Sequence, residues 1–303
     1  MLNIGIIGCG DWSKKVLSEV KNNKNYHLTS VVCRDNSLEE ENFKNKIHIF
    51  RSIESLFNAN INDCIYVAGT PDINLNATEL AKKNKIPLIL EKPLSNNYNN
   101  AQKLQYIAKK NELLILPNLS NFFSESFAYV KNFVDKNFYQ IRKIIIYEGG
   151  NGPFRKKIHP IWDWGFHSFS TVFKLFENNQ FSNINKIELK NNNILKKGII
   201  TKFLFSIDSK FEVKIVTGNL FKNKIRTMKV ILKNHNVLEN NLINHEVFLN
   251  KKLVFRSSNS PIQSLLNEFN KEIVSKKTNL SQKLIAASCK TTQKLENFYN
   301  CSK

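Results

Sequence analysis

The sequence predicts an α/β chain in two parts: a parallel sheet with crossover helices, then an α+β part with a mostly antiparallel open sheet. Three observations predict it. Short apolar runs alternate with amphipathic stretches as far as residue 116, whereas beyond residue 184 such runs follow one another without helical patterns between them. The chain has 303 residues, 42% of them hydrophobic, which is room for two packed domains of about 100–200 residues each.

The elements follow in order. Leu2–Ile7 is strand-like and ends at Gly8. Asp11–Asn22 carries Val16, Leu17 and Val20 at helical spacing. His27–Cys33 is a second strand, and Ile53–Phe57 suits a short helix. Cys64–Ala68 is a third strand, stopped by Gly69-Thr70-Pro71. Leu75–Asn84 and Tyr98–Lys110 read as helices on either side of a strand at Pro87–Leu90, and Leu113–Leu116 is the fifth strand. Strands separated by helices of about ten residues imply βαβ crossovers and a parallel sheet.

The pattern then changes. A helix at Ser124–Asn137 leads into a strand at Ile141–Glu148, a loop with Gly149, Gly150, Gly152 and Pro153, and a helix at Trp162–Glu177. Strands follow at Ile184–Lys190, Ile199–Ile207, Phe211–Thr217, Thr227–Leu232, His245–Leu249 and Leu253–Arg256. Such a succession makes an antiparallel sheet with one open face. A helical region starts near Ser260-Pro261, where proline suits a first helical position. The boundary near residues 117–121 gives a first domain of 1–118 and a second of 119–303.

The charge narrows the partners. Lysine and arginine total 45 against 25 acidic residues, for a net charge of +20. Lysines carry most of it, scattered among asparagines and isoleucines, with no basic stripe, arginine cluster or RNP-type aromatic motif. The reading is a solvated basic surface that attracts small anions, not a nucleic-acid binder. The runs Ile144–Tyr147 and Ile199–Phe205 fall far short of the ~20 residues of a membrane span. Met1 leads straight into a strand rather than a basic start and a long apolar core, so the expected location is cytoplasmic. Cys9, Cys33, Cys64, Cys289 and Cys301 form no CxxC pair and no metal-ligand spacing; they are expected to be reduced thiols, with no metal.

Four features carry chemistry. Gly8-Cys9-Gly10-Asp11-Trp12-Ser13 takes a strand into glycines and then a helix. That is the dinucleotide-binding arrangement of a Rossmann domain. The first glycine permits the turn, the second lets backbone approach a pyrophosphate, and the helix offers unpaired N–H groups. Ser13 stands where a third glycine would, and is small enough for close packing. The second strand ends Val32-Cys33-Arg34-Asp35. An acidic residue there would hold the ribose 2′-hydroxyl of NAD. Arg34 would instead pair with the 2′-phosphate of NADP or stack on adenine, and Asp35 could take the acidic role, so the slight lean is to NADP. Glu91-Lys92-Pro93 sits at the carboxyl end of a strand, where open sheets bind ligands. In Trp162-Asp163-Trp164-Gly165-Phe166-His167, an i,i+4 spacing would put Asp163 and His167 on one helix face. An imidazole titrating near neutrality suits proton transfer coupled to hydride transfer. A structural role is open for each: a surface turn for Lys92, a core or capping pair for Asp163 and His167.

Together these pieces resemble the Gfo/Idh/MocA family of NAD(P)-dependent sugar oxidoreductases. The resemblance spans nearly the whole chain: the glycine turn, Thr70-Pro71, Glu91-Lys92-Pro93, the Asp163/His167 pair and the two-domain order. It implies that Gly8, Gly10, Asp11, Trp12, Ser13, Arg34, Thr70, Pro71, Glu91 and Lys92 line a bound NAD or NADP. It also implies a cis peptide before Pro93. Lys92 would contact the substrate hydroxyl and nicotinamide, Asp163 would hold the substrate, and His167 would be the general acid/base. Arg155 suits a substrate phosphate or carboxylate. The stretch from Gly152 to His167 resembles a branch linked to surface-polysaccharide sugars. The implied partners are a sugar or nucleotide sugar and further copies of the chain, joined through the open sheet. The sequence departs from the family at Ser13, at Asp72-Ile73-Asn74-Leu75-Asn76, where a histidine is common, and at Leu119-Ser120-Asn121-Phe122-Phe123, where an arginine is common. Other readings are a non-catalytic NAD(P)-binding scaffold, redox-assisted glycoside cleavage and a biliverdin-type reduction.

Overall fold

A computed structural model describes residues 1–34, 47–155, 158–191 and 198–300; Asp35 and Cys301 lie outside them. The chain forms two compact units, 1–120 with 262–292 and 121–261 with 293 onward. The expected division at 118/119 places all of 262–292 in the second domain, whereas that segment groups with the first unit.

The first unit is a six-stranded parallel sheet. Its strands are β1 (Leu2–Ile7), β2 (Tyr26–Val32), β3 (His48–Phe50), β4 (Cys64–Val67), β5 (Leu88–Leu90) and β6 (Ile115–Pro117), in spatial order β3-β2-β1-β4-β5-β6. Helices α1 (Asp11–Lys21), α2 (Ile53–Ala59), α3 (Pro71–Asn84) and α4 (Tyr98–Lys110) make the crossovers. Strand order reverses between β1 and β4, which opens a crevice at their carboxyl ends. Ile4, Ile6, Val31, Ile65, Val67, Leu88, Leu90 and Ile115 are all buried, as strands covered on both faces require. The sequence reading passes over β3 because three residues are too few to show alternation. Helix α3 begins at Pro71, four residues before the expected Leu75, because proline at its first position is already set for helix. Helix α7 (Pro261–Ser275) is followed by α8 (Asn279–Asn300).

The second unit holds an eight-stranded sheet. Its strands are β7 (Ile141–Asn151), β8 (Phe181–Asn191), β9 (Gly198–Ile207), β10 (Phe211–Gly218), β11 (Leu220–Leu232), β12 (Val237–Asn241), β13 (Glu246–Leu249) and β14 (Lys252–Arg256). The spatial order is β14-β13-β12-β11-β7-β10-β9-β8. The β7–β10 pair is parallel and the rest are antiparallel. Alternation of buried and half-exposed residues from Phe211 to Thr217 of β10 leaves one face covered and one open. Strand β12, Val-Leu-Glu-Asn-Asn, was not expected: polar residues mask its period. Strand β7 continues through Gly149 and Gly150, where a loop was expected, because both remain paired or packed against neighbouring backbone. Helices α5 (Glu125–Asn137) and α6 (Phe166–Leu175) complete the unit. Phe169 of α6 meets Phe203 edge to face at 4.9 Å, within a cluster that includes Phe173, Phe205 and Phe298.

No helix among the described residues is long and apolar enough to cross a membrane.

Candidate functional site

The candidate residues form two groups, one on each unit. The first lies at the carboxyl ends of β1, β2, β4 and β5. Gly8 has φ +124° and donates its N–H to the Val32 carbonyl at 3.0 Å. A Cβ there would lie 2.7 Å from the Ser13 hydroxyl and 2.8 Å from the Ala68 carbonyl, so only glycine fits. Gly10 caps α1, and a Cβ on it would meet nothing within 4 Å. No side chain caps α1. The first N–H groups of α1, given no side-chain cap by Gly10, are of the kind that accepts a phosphate. Buried Ser13 fills the third-glycine place and donates to the Ala68 carbonyl at 3.2 Å, tying α1 to the end of β4. Asp11 is exposed in the first turn, and Thr70 and Pro71 begin α3.

The cysteine expectation needs correction. Cys9 and Cys33 are joined by a disulfide, with Cα atoms 5.4 Å apart. Their spacing in sequence hides this, because the two meet only once β1 and β2 pair and place the turn beside the end of β2. Cys64 and Cys289 are free and buried. Burial pushes the Cys289 thiol up to about 12 and the Cys64 thiol up as well. Arg34 is exposed after Cys33, and Arg51, which the sequence reading passed over with β3, donates to the Cys33 carbonyl at 3.2 Å.

The turn after β5 is held from several directions. The Glu91 carboxylate is 6% exposed and its Oε1 accepts from Trp12 Nε1 at 2.5 Å, the Tyr66 hydroxyl at 2.7 Å and Asn118 Nδ2 at 2.7 Å. Burial, then the Glu91 charge, raises the Tyr66 hydroxyl well above the ordinary phenol range, so it stays a donor. Buried Asn74 lies in the stretch where the family commonly has a histidine. Its Nδ2 reaches the carbonyls of Glu91, Pro93 and Leu94 at 3.0, 3.2 and 3.2 Å. Lys92 sits between, half-buried, and its peptide to Pro93 is cis. Sequence reasoning missed Tyr66, Asn74 and Asn118, since a lone polar residue in an apolar run gives no motif.

The second group surrounds the loop after β7. Asn219 binds both sides of it: its carbonyl accepts from Gly152 N at 3.0 Å and its Nδ2 donates to the Pro153 carbonyl at 2.9 Å. Trp164 Nε1 donates to the Gly152 carbonyl at 2.9 Å. Arg155 Nε donates to Asp163 Oδ2 at 3.0 Å, which brings two of the candidates together. The helix expected over Trp162–Glu177 is in two parts. Ile161–Gly165 is a π turn, and α6 starts at Phe166. The four-residue step from Asp163 to His167 therefore runs through a widened turn rather than a regular α-helical one. A Cβ on Gly165 would lie 2.8 Å from Ile161, which explains glycine at that point. His167 is half-buried in the first turn of α6. Among the described residues no group of three or more His, Cys, Asp or Glu is placed to hold a metal.

A parallel sheet with this glycine turn defines a dinucleotide-binding protein. Residues 2–119 match the family described as "Oxidoreductase family, NAD-binding Rossmann fold", GFO_IDH_MocA. Residues 2–119 are thus similar to the NAD-binding Rossmann part of the Gfo/Idh/MocA oxidoreductases. It is 27% identical over 119 residues to the uncharacterized oxidoreductase YgjR of Escherichia coli, an alignment spanning 38% of this chain and 36% of that protein. Solved structures share its fold. A 3-ketoreductase from Actinomadura kijaniata, in complex with TDP-benzene and NADP, superimposes with TM-score 0.82 at 12% identity, over 100% of this chain and 98% of that one. A scyllo-inositol dehydrogenase from Lactobacillus casei, with NAD(H) and scyllo-inositol, gives 0.74 at 15% identity, over 98% and 96%.

Proposed function

We propose that this protein moves a hydride between a nicotinamide and a carbon of a sugar or nucleotide sugar, with Lys92, Asp163 and His167 acting in one reaction. The observation that carries this reading is the set of buried hydrogen bonds from Trp12, Tyr66, Asn74 and Asn118 onto the turn of Lys92. A solvated surface lysine needs no such fixing, and a group that must meet a reacting atom does. The ligands of the two fold relatives, and the basic surface, agree with a polyhydroxylated or anionic substrate.

Gly8, Gly10, Asp11, Trp12, Ser13, Thr70, Pro71 and Glu91 would hold the dinucleotide, with its phosphates over the open N-terminus of α1. When bound, the dinucleotide supplies or takes the hydride. Lys92 donates hydrogen bonds to the substrate oxygen at the reacting carbon. His167 takes the hydroxyl proton on oxidation and returns it on reduction. Asp163 accepts hydrogen bonds from substrate hydroxyls. Arg155, held beside Asp163, offers its remaining guanidinium donors to a substrate phosphate or carboxylate. Arg34 and Arg51 flank the end of β2 and favour NADP. The open face of the second sheet would serve self-association. A role in building surface-polysaccharide sugars fits this chemistry.

The test mixes the protein with NAD+ or NADP+ and a panel of UDP-, GDP- and dTDP-sugars, and follows absorbance of reduced nicotinamide. Turnover with a sugar, lost in Lys92→Ala and His167→Ala, is the expected result. Cofactor binding without turnover on any sugar would support a scaffold instead. Arg34→Ala should weaken NADP more than NAD; equal losses would remove the 2′-phosphate assignment.

A further inference from the structure

His167 sits where regular helical hydrogen bonding is interrupted, just after the π turn, so its orientation needs support from elsewhere. Such support exists within the second unit. The His167 carbonyl accepts from the Thr171 hydroxyl at 2.8 Å and the Ser170 hydroxyl at 2.9 Å. Such back-bonds are common in helices. What is not local is what holds them. Asn121 Nδ2 donates to Thr171 Oγ1 at 3.2 Å, and Asn121 Oδ1 accepts from the Arg226 guanidinium at 3.1 Å. Arg226 pairs through two nitrogens with Glu148 Oε1, at 2.7 Å each. Glu148 Oε2 accepts from the Ser168 hydroxyl at 2.7 Å. Ser168 follows His167, so the circuit closes on two adjacent residues.

We infer that Glu148, Arg226, Asn121 and Thr171 are positioning residues for His167. The circuit is buried except at Arg226, whose side chain is 16% exposed: Glu148 is 0%, Ser168 1%, Thr171 3% and Asn121 6% exposed. A buried ion pair is a poor means of adhesion, since apolar residues of equal volume hold two elements together as well or better. Its advantage is direction. Phe166, Phe169 and Val172 already press α6 onto its unit, but apolar packing leaves a helix end free to rotate slightly. Hydrogen bonds at the His167 carbonyl and at the neighbouring Ser168 hydroxyl restrict that freedom. They do so at the residue whose imidazole the proposed reaction uses, and to that extent the inference rests on that reading.

The experiment compares Thr171→Val, Thr171→Ser and Ser168→Ala with the wild type. Three quantities are read: the His167 ring Cε1–Hε1 signal by NMR, dinucleotide affinity, and kcat and KM on any sugar that turns over. Thr171→Val keeps the shape of the side chain and removes its hydroxyl. The expected result is a shifted or broadened His167 signal with dinucleotide affinity unchanged. Where a sugar turns over, kcat falls about tenfold or more with KM little changed, as misplacing a catalytic group by a fraction of an ångström does. Thr171→Ser should restore both, which a general loss of packing would not predict. Ser168→Ala tests the opposite side of the circuit and should move the same signal. An unmoved His167 signal in both Thr171→Val and Ser168→Ala overturns the inference, as does an unchanged kcat. The NMR readout needs no substrate, so failure to find one would count against the proposed function without deciding this point.

Discussion

The two units hold the turn of Lys92 and the start of α6 by opposite means. On the first, the turn of Lys92 is held by uncharged donors: an indole, a phenol and an amide on one oxygen of Glu91, and the Asn74 amide on three carbonyls. On the second, the start of α6 is held by a circuit that contains a full ion pair, Glu148 with Arg226. The difference matters when a link is removed. Several neutral donors onto one carboxylate share the load, and losing one leaves the others. A buried carboxylate with one cationic partner has no substitute for it. The first arrangement should fail gradually and the second abruptly.

The largest effect is therefore expected from Arg226→Ala. It leaves Glu148 fully buried with only the Ser168 hydroxyl, and removal of one partner of a buried pair costs about 3–5 kcal/mol. Denaturant unfolding followed by hydrogen exchange in residues 121–261 should show the loss there. Replacing both members, as in Glu148→Leu with Arg226→Met, should recover much of that stability. If the single variant unfolds like the wild type, the contrast between the units is wrong.

The disulfide gives the first unit its own point of failure. Cys9 and Cys33 are separated by 24 residues, and a closed loop of that size restricts the unfolded chain by roughly 3 kcal/mol. Reduction, or Cys33→Ser, should lower protection in residues 1–120 and leave residues 121–261 nearly untouched. A parallel loss in both segments would mean that the units unfold as one. Reduced protein should still bind the dinucleotide, because the Gly8 N–H to Val32 bond and the open end of α1 do not depend on the bridge.

Much of the fold was legible in the sequence, and for identifiable reasons. Strands such as Leu2–Ile7 and Phe211–Gly218 carry their period openly, and the glycine turn and Glu91-Lys92-Pro93 are contiguous. What stayed hidden joins distant residues or lacks a period. β3 is too short to alternate, and β12 is too polar. The Cys9–Cys33 bridge forms only across paired strands, and Glu148 and Arg226 meet across β7 and β11, 78 residues apart. Asp163 and His167 were visible as a pair by helical spacing. The π turn between them was not, because the sequence shows no break in the helical pattern, only the glycine that fits it.

Asn74→Ala comes next in size. It strips the donor from three carbonyls around Lys92, two of them on residues at most 6% exposed, for about 1–3 kcal/mol. Because Glu91 keeps its three donors, the turn should loosen rather than unfold. Dinucleotide affinity should fall only a few-fold, while the turnover proposed to run through Lys92 falls further. An equal fall in both would show that Asn74 supports the whole crevice and not this turn.

The smallest effect concerns a second buried carboxylate of the first unit, Glu272, held by backbone N–H groups. It accepts from Leu280 N at 2.9 Å and from Ser281 N at 3.1 Å, at the start of α8. Burial raises its pKa above the ordinary glutamate value, outweighing the two backbone donors that lower it. A carboxyl raised in the folded state is held better protonated than in the unfolded chain. Its contribution is fully present below the unfolded pKa and is lost as pH rises through the folded one. Glu272→Gln keeps an acceptor for both N–H groups and removes the titration. The variant should therefore gain on the wild type as pH climbs through and above the ordinary glutamate range. Stability measured against pH for the two proteins decides it. A variant that loses ground with rising pH would mean that the helix end of α8 stabilises the Glu272 charge more than burial penalises it.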